Sequence, residues 1–331
     1  MKILFIGGTG IISSACTDLI MKRGLELYHV NRSKSNEVRP VPDGVKTIIA
    51  DVRNFEQTEK LLREYQFDVV VDWISFVPEQ LENNFRLLKD KTSQYVFISS
   101  ASAYQTPPKS LPVTEKTPLD NPFWQYSRDK IDCERYLVSE AIKYGMKYTI
   151  VRPSHTYDKT VLPITGGYTA VNRMLEGKPV IVHGDGTSVW TLTNHRDFAV
   201  GLVGLLGNKK AMNEAFHITS DEWLTWNQIY EYIAGAFGTE ANLVHVPSSV
   251  IAGYDKEIGD GLLGDKAHSM IFDNSKIKYA VPEFKCVIPY ELGVREVANW
   301  YKTNKDRQVV DPALDKIFDT IILDFSTLSG S

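Results

Sequence analysis

The chain has 331 residues with 37 basic and 41 acidic side chains, and 43% of its residues are hydrophobic. This length predicts about two domains, or one large α/β unit with an appendage, and the composition excludes disordered and fibrous classes. The formal net charge of −4 provides no basic surface for a phosphate backbone, so a nucleic-acid partner is not expected.

The cysteines and histidines of the sequence bear on its cellular compartment and on whether it binds a metal. The three cysteines form no closely spaced pair, which predicts reduced thiols and a cytoplasmic protein. The seven histidines show no metal-ligand spacing, so no metal is expected. The longest apolar stretch, residues 199–207, is less than half as long as a membrane span, and no membrane partner is expected.

Short β-branched runs alternate with amphipathic stretches up to about residue 152. The pattern predicts strands at residues 2–7, 25–31, 46–51, 68–74, 95–99 and 148–152, and helices at 11–23, 55–65, 79–88 and about 122–144. Strands that alternate with helices of this length indicate βαβ crossovers, and therefore a parallel sheet with both faces covered.

The alternation stops after Pro153. Further strands are predicted at 179–183 and 214–218, and helices at 197–206, 226–237 and 313–324. We therefore predict a doubly wound parallel (Rossmann) sheet with a smaller, discontinuous C-terminal α/β substrate domain. The Rossmann domain would contain residues 1–157 and about 190–219, and the substrate domain about 158–189 and 220–331.

A glycine-containing turn lies directly between the first predicted strand and the first predicted helix. Gly7 and Gly10 have the spacing of a dinucleotide-binding turn, in which the backbone approaches a pyrophosphate at a helix N-terminus. Ser13 stands where a third glycine is usual, and an ordinary strand–turn–helix remains the alternative. The cofactor contacts expected from this turn are Gly7, Thr9, Gly10, Ile11 and Ile12.

The end of the second strand bears on which dinucleotide is bound. Asn31 occupies the position where an NAD site usually has an acid, and Arg32, Ser33 and Lys34 follow it. This favours NADP over NAD, although a solvated basic turn is the alternative. Asp51 and Val52 are expected beside the adenine, and the remaining expected cofactor contacts are Ile74, Ser75, Tyr126, Lys130, Pro153 and His155.

Tyr126 and Lys130 are four residues apart, which places them on one face of a helix. An ammonium beside a phenol lowers its pKa and suits it to proton transfer near neutrality. Tyr301 and Lys305 have the same spacing, but only Tyr126 follows a strand that ends in a serine, Ser100. A hydroxyl at the carboxyl end of a parallel strand faces the ligand crevice and can donate to a substrate oxygen, or it can satisfy a local backbone group.

With these motifs the chain resembles the extended short-chain dehydrogenase/reductases, and within them the NAD-dependent epimerase/dehydratase group. The resemblance is carried by GGTGII at 7–12, SSASAY at 99–104, YSRDK at 126–130, VRPSHTY at 151–157 and GDGTSV with HRDFA between 184 and 199. It implies that Tyr126 is the catalytic acid/base, that Ser100 takes the serine/threonine role, and that Lys130 orients the nicotinamide ribose. The region around HRDFA is most similar to the branch that includes chloroplast stem-loop-binding proteins.

Two departures from the family pattern concern the substrate. Ala101 and Ser102 follow Ser100. The sugar-nucleotide dehydratases that this chain resembles have a pair of acidic residues at these positions, so dehydration is not expected. Trp190 falls where many UDP-sugar epimerases carry an arginine, so the substrate need not be a conventional UDP-sugar. The expected substrate contacts are Ser102, His155 and Trp190, with a hydrogen-bonding loop histidine and a packing tryptophan as the alternatives for the last two.

The resemblance implies an NAD(P)-dependent epimerase of a nucleotide sugar or related sugar, which works by transient hydride transfer to the cofactor. An NADP-dependent carbonyl reductase or alcohol dehydrogenase with the same triad is the alternative. A third hypothesis is a non-catalytic, cofactor-binding protein with a regulatory or RNA-contacting role. The resemblance also implies a homodimer through helices of the first domain.

Overall fold

The computed structural model describes residues 1–32 and 38–329, and side chains up to residue 325. Ser33, which was predicted to contact the cofactor, lies outside the described residues. The strands are β1 Lys2–Ile6, β2 Glu26–Asn31, β3 Lys46–Ile49, β4 Phe67–Asp72, β5 Thr92–Ile98, β6 Lys147–Pro153, β7 His155–Tyr157, β8 Val180–His183, β9 Val189–Trp190, β10 Leu192–Asn194, β11 Glu214–Ile218, β12 Leu224–Thr225 and β13 Leu243–Val246. The α-helices are α1 Ile11–Lys22, α2 Phe55–Leu62, α3 Pro78–Leu88, α4 Gln125–Tyr144, α5 Tyr168–Leu175, α6 His195–Leu205, α7 Trp226–Phe237, α8 Ser248–Tyr254, α9 Lys256–Gly261, α10 Ser275–Ala280, α11 Tyr290–Thr303 and α12 Pro312–Ser329.

Seven of these strands form one parallel sheet in the order β11-β6-β5-β4-β1-β2-β3. Ile3 of β1 lies opposite Leu27 of β2 and Val69 of β4, so β1 is central and is paired on both sides. The chain runs outward in both directions from this point, which opens a crevice at the carboxyl ends of β1 and β4. The predicted doubly wound sheet is confirmed.

Both faces of the sheet are buried by helices. Alternate residues of β1 enter two separate clusters, with Ile3 and Phe5 in one and Leu4 and Ile6 in the other. The first cluster includes Cys16 of α1 and residues of α6, and the second includes residues of α3 and α4. This two-sided burial is the reason that the strands read as continuous apolar runs.

Helix α4 begins three residues later than predicted. The side-chain oxygen of Asn121 accepts hydrogen bonds from the backbone amides of Phe123 (3.2 Å) and Trp124 (3.2 Å). This turn satisfies amides that would otherwise begin the helix, so residues 122–124 stay outside it. The helix ends at Gly145, whose φ of +67° is the left-handed conformation that glycine adopts most readily.

The region after Pro153 builds a second core around large aromatic side chains. Tyr157, Trp190, Trp226 and Tyr290 are all buried there. The strands at 180–183 and 214–218 and helix α7 were predicted closely, whereas α5 and the helices α8 to α11 were not. The boundaries of the two domains remain a prediction. Strand β11 lies within residues 190–219, the second segment proposed for the Rossmann domain.

Candidate active site

A cavity of about 290 Å³ lies at the carboxyl ends of the strands on the β1–β3 side of the sheet. Its lining includes many of the predicted cofactor contacts, namely Gly7, Thr9, Asn31, Arg32, Asp51, Val52 and Ile74. It also includes Arg53, Phe76, Gln80, Asn83 and Asn84, which the sequence analysis did not single out. Gly10, Ile11, Ile12, Ser75, Pro153 and His155 are not part of this lining.

The glycine turn at the base of this cavity has no room for side chains. Gly7 has a φ of +79°, and a Cβ there would lie 2.4 Å from Cγ2 of Ile74. A Cβ at Gly8 would lie 2.3 Å from Cε1 of the His29 ring. The turn is therefore an exposed backbone cradle at the start of α1, which is the shape that a dinucleotide pyrophosphate requires.

Ser13, the departure from the three-glycine pattern, has a defined role in this turn. Its hydroxyl oxygen accepts a 2.8 Å hydrogen bond from the backbone amide of Gly10, the N-cap residue of α1. The serine is buried, so it occupies the place of the usual glycine without opening the packing between helix and strand. The residues present therefore fit a dinucleotide.

Arg32 and Asp51 face each other at the rim of the cavity. Nη1 of Arg32 lies 3.8 Å from Oδ2 of Asp51, and the side chains are 50% and 40% exposed. Both groups are therefore accessible to the adenosine half of a cofactor. A guanidinium at this position is able to bind a 2′-phosphate, while the carboxylate is able to accept from a nucleoside hydroxyl or amine.

A second cavity of about 260 Å³ collects the three predicted substrate contacts and two of the three predicted catalytic residues, Ser100 and Tyr126, while Lys130 is not part of its lining. Its lining contains Ser100, Ser102, Tyr126, Pro153, His155 and Trp190, together with Ala101, Trp124, Ser154 and Asp265. We call it the inner cavity. A larger cavity of about 650 Å³, the outer cavity, shares Trp124 and His155 with it and so extends the space toward the second core.

Tyr126 lies on the first turn of α4, and its phenol and the hydroxyl of Ser100 line the same cavity. Burial raises the pKa of the phenol to about 12, against the lowering effect of the nearby Ser100 hydroxyl. The nearby charge of Asp265 raises it further. The sequence analysis predicted that Lys130 lowers this pKa. That prediction was wrong, because removal of the phenol from water has a larger effect on the pKa.

Lys130 is almost completely buried, one turn along α4 from Tyr126. Its ammonium donates to the carbonyl oxygens of Ser75 (2.7 Å) and Ile98 (2.9 Å), and it lies 5.9 Å from the centroid of the Tyr126 ring. Burial lowers its pKa to about 8. An ammonium has three donors, so one N–H remains for a ribose hydroxyl.

A chain of serine hydroxyls fixes Ser100. Ser127 donates to the hydroxyl of Ser102 (2.8 Å), which in turn lies 2.9 Å from the hydroxyl of Ser100. Because Ser102 already accepts from Ser127, its own proton is free to go to Ser100. Ser102, predicted as a substrate contact, thus orients Ser100 so that its proton points to Tyr126 or to a substrate oxygen.

The carboxylate of Asp72, at the end of β4, was missed in the sequence. It accepts from the hydroxyls of Ser75 (2.6 Å) and Tyr95 (2.7 Å) and from the side-chain amide of Asn84 (3.0 Å). This buried network holds the Ser75 carbonyl where Lys130 binds it. An acid that ends an apolar strand was the signal available.

Trp190 and His155 occupy one wall of the inner cavity. Trp190 is buried, which agrees with the packing alternative, and its ring meets His155 edge to face at 5.0 Å between centroids. Nε2 of His155 lies 2.6 Å from Oδ2 of Asp265. Asp265 was not predicted, and nothing in its local sequence separates it from other acids.

The second tyrosine–lysine pair lies outside this site. Tyr301 donates to the carbonyl of Thr160 (3.2 Å) and stacks on Tyr168 at 5.1 Å between centroids. Helix α11 ends before Lys305 is reached, so the two residues do not share a helix. The choice of Tyr126 over Tyr301 on the basis of context therefore agrees with the geometry.

The described part of the chain has neither a membrane-spanning helix nor a cluster of metal ligands. No helix there is long and apolar enough to cross a membrane. No group of three or more His, Cys, Asp or Glu side chains in the same residues is placed to hold a metal ion.

Comparison with known proteins agrees with this geometry. The profile of the NAD dependent epimerase/dehydratase family matches residues 3–219. The chain belongs to this family. It has the extended short-chain dehydrogenase/reductase architecture, and the family resemblance seen in the sequence is confirmed.

Proteins and structures that are similar to this chain have names that indicate different functions. The chloroplast stem-loop binding protein of 41 kDa b from Arabidopsis thaliana is 27% identical over 74% of this chain, which spans 65% of that protein's length. A 2'-dehydrokanamycin reductase from Streptomyces kanamyceticus is 23% identical over 91% of this chain and 84% of its own. The structure of UDP-glucose 4-epimerase from Bifidobacterium longum with NAD+ and UDP has a TM-score of 0.74 at 19% identity, over 93% of this chain and 100% of that one.

Proposed function

We propose that this protein is an NAD(P)-dependent epimerase of a nucleotide sugar or related sugar, with Tyr126 as the acid/base. The observation that carries the proposal is that Tyr126 and Ser100 line the same inner cavity, with the buried ammonium of Lys130 5.9 Å from the centroid of the Tyr126 ring. These three side chains meet at the carboxyl ends of parallel strands, where ligands bind in folds of this type.

The cofactor would lie along the carboxyl ends of the strands, held by the turn at Gly7 and Thr9, by Asp51 and by Lys130. When bound, an oxidised nicotinamide would supply a positively charged hydride acceptor and, once reduced, the hydride donor. Tyr126 takes the proton of the substrate hydroxyl, and Ser100 donates to the same oxygen as its charge develops. After the carbonyl has presented its other face, return of the hydride to its carbon and of the proton from Tyr126 to its oxygen would restore the hydroxyl.

NADP is the preferred cofactor in this proposal because of the rim of the 290 Å³ cavity. Arg32 and Arg53 both line it, and they supply the positive charge that a 2′-phosphate requires. This same observation favours the alternative, an NADP-dependent carbonyl reductase or alcohol dehydrogenase. In that case the cofactor exchanges after each turnover rather than staying bound.

The charges of the outer cavity favour a related sugar over a nucleoside diphosphate sugar. Asp255, Glu257 and Asp311 line it, and Lys266 is the only lysine or arginine in its described lining. Lys266 also lies 3.5 Å from the buried carboxylate of Asp265. A diphosphate placed here would meet mainly negative charge, whereas a neutral or amino-bearing sugar would not.

The first experiment is to purify the protein without added cofactor, denature it, and identify the released nucleotides by mass spectrometry. Retained dinucleotide supports the closed redox cycle of an epimerase, and reversible binding of NADPH to an empty protein supports the reductase. Tyr126→Phe should abolish turnover and leave dinucleotide binding intact. Turnover that survives this change, or no affinity for either dinucleotide, would contradict both activities.

A homodimer through α4 is part of the proposal. Ile142 and Tyr144, near the end of that helix, are 75% and 48% exposed. Tyr144 lies on another face of the helix, two residues on, so Ile142 is the side chain that would pack against a second copy of the same helix. Light scattering should give a dimer for the wild type and a monomer for Ile142→Glu.

A further inference from the structure

One pair of ionisable side chains in the inner cavity takes no part in the chemistry of Tyr126. His155 and Asp265 lie 110 residues apart in the chain, and their Nε2 and Oδ2 atoms are 2.6 Å apart. The Asp265 side chain is 4% exposed and that of His155 is 22% exposed. The pair therefore has a buried carboxylate behind an imidazole that reaches the cavity.

Asp265 is held in place as an anion. It lies on a π-helical turn, Leu262–Lys266, a rare conformation that is often found at functional sites. Burial alone would raise the pKa of this carboxyl group, but His155 and Lys266 bring it below its usual range. A carboxylate only accepts hydrogen bonds, so Nε2 of His155 carries the proton that faces Asp265, and Nδ1 is the nitrogen left to exchange a proton.

The orientation of the ring is fixed by two tryptophans. His155 meets Trp190 edge to face at 5.0 Å and 88°, and Trp226 at 5.9 Å and 87°. Among the described residues, Nδ1 has no hydrogen-bond partner. The ring of a structural histidine would form hydrogen bonds that hold its own loop in place. The ring of His155 instead forms its hydrogen bond with Asp265, and its other nitrogen remains available.

The pair is close to the Tyr126 phenol. Both lie on the lining of the inner cavity, and the charge of Asp265 contributes to the raised pKa of Tyr126. His155 also lines the outer cavity, so its proton is able to exchange with solvent. For a substrate in the inner cavity, Tyr126 would therefore be the proton-transfer group at its oxygen, and His155 would be a second such group in the same cavity.

We propose that His155, positioned by Asp265, is a second acid/base that exchanges a proton with the carbon next to a carbonyl bound at Ser100 and Tyr126. This inference rests on the proposed function in one respect, the placement of the carbonyl oxygen at those two hydroxyls. Nδ1 takes the α-proton, the C–H electron pair forms the new C=C bond, and the carbonyl π pair moves to the oxygen. Return of a proton to the same carbon restores the ketone, with retention of configuration when His155 donates it and with inversion when a solvent water protonates the other face.

This activity defines a substrate class. The substrate would be a sugar, or an amino-bearing sugar, whose oxidation produces an α-hydroxy ketone with hydrogen on the adjacent carbon. The protein would then be able to invert that neighbouring carbon as well as the oxidised one. No oxidant or further reactant is consumed in the exchange, because one proton is removed from the carbon and one proton, from the imidazole or from solvent, is returned to it.

The test supplies a ketone directly, so that the hydride step is not needed. The NAD+-loaded protein is incubated in D2O with 1,3-dihydroxyacetone, and 1H NMR follows the loss of its CH2 signal. A positioned imidazole should accelerate the exchange about 100-fold over buffer. His155→Asn should lower the rate of this exchange at least about tenfold relative to the wild type. Asp265→Asn should lower the rate with little change in the concentration of ketone needed for half-saturation, and Asp265→Glu should restore part of it.

His245→Asn is the matched control, because His245 is exposed in the same region and lines neither cavity. It should exchange the ketone at the wild-type rate. Melting temperature and retained dinucleotide show whether each variant is folded, and His155→Gln provides a second replacement if His155→Asn is not. Equal rates for the wild type and a folded His155 variant, or a wild-type rate equal to that of buffer, would overturn the proposal. Either result leaves the Tyr126→Phe test of the hydride chemistry unaffected.

Discussion

The ammonium of Lys130 donates a 2.7 Å hydrogen bond to the carbonyl oxygen of Ser75. This contact joins α4, the helix with Tyr126, to the segment that leaves the carboxyl end of β4 at the predicted cofactor site. The carboxylate of Asp72 holds the hydroxyl of the same serine at 2.6 Å. The position of the lysine is therefore set by a buried acid on a neighbouring strand.

Lys130→Met should weaken dinucleotide binding at least about tenfold and lower turnover, because the remaining ammonium donor and the positive charge are lost. The variant should still fold, since loss of two hydrogen bonds is opposed by removal of a buried charge. Fluorescence titration with NADH and NADPH measures the affinity. Lys143→Met, an exposed change on the same helix, is the control, and equal affinities for the two variants would contradict the role of Lys130.

Arg32→Ala tests the cofactor preference. Removal of the guanidinium from the rim of the 290 Å³ cavity should raise the Kd for NADPH about tenfold and change that for NADH by less than about twofold. Arg63→Ala, at the exposed end of α2, should alter neither value. An equal loss for both dinucleotides would show that Arg32 does not distinguish a 2′-phosphate.

Local sequence signals were sufficient for the sheet and for half of the site. The turn at Gly7 and the spacing of Tyr126 and Lys130 are properties of short segments, and the structure has the turn before α1 and both side chains on α4 as expected, while their roles stay predictions. Asp265 could not be found in this way, because its partner His155 is 110 residues away and only tertiary folding joins them. Spacing also revealed the charge near Tyr126 but not the burial that raises the pKa of its phenol.

The weaker predictions in the second half have a related cause. Helices α8, α9 and α10 have seven, six and six residues, too few for an amphipathic period to become clear. The late start of α4 depends on one side chain, Asn121, which also donates to the carbonyl oxygens of Ser102 (2.8 Å) and Gly264 (2.7 Å). Such a bridge between distant segments leaves no periodic pattern in the sequence.

Glu134→Ala should lower the free energy of unfolding by about 3 to 5 kcal/mol. Glu134 of α4 forms two hydrogen bonds with Arg152 of β6, at 2.9 Å and 2.6 Å, and both side chains are buried. Removal of the carboxylate leaves a buried guanidinium without its partner. Urea unfolding measures the change, and Glu140→Ala on the same helix, whose partner Lys143 is exposed, should cost less than about 1 kcal/mol. Similar losses for the two variants would contradict a special contribution of the buried pair.

His29 should make stability depend on pH in the mildly acidic range. Burial beneath the glycine turn lowers its pKa to about 4, and its Nε2 lies 3.0 Å from the hydroxyl of Thr17. The unfolded chain binds the proton near pH 6.5, so the stability from the neutral ring is complete above about pH 6.5 and is lost as the pH falls toward 4.

Between pH 7 and pH 5 the wild type should therefore lose about 2 kcal/mol more than His29→Gln, which has no titrating ring. Urea unfolding at the two pH values gives both differences. His245→Gln removes an exposed histidine and should retain the wild-type dependence. If His29→Gln lost as much stability as the wild type over this interval, the ring at position 29 would have to be charged in the folded protein. The packing of that ring against Gly8 and its stacking on Phe5, at 5.6 Å between centroids, would then need another explanation.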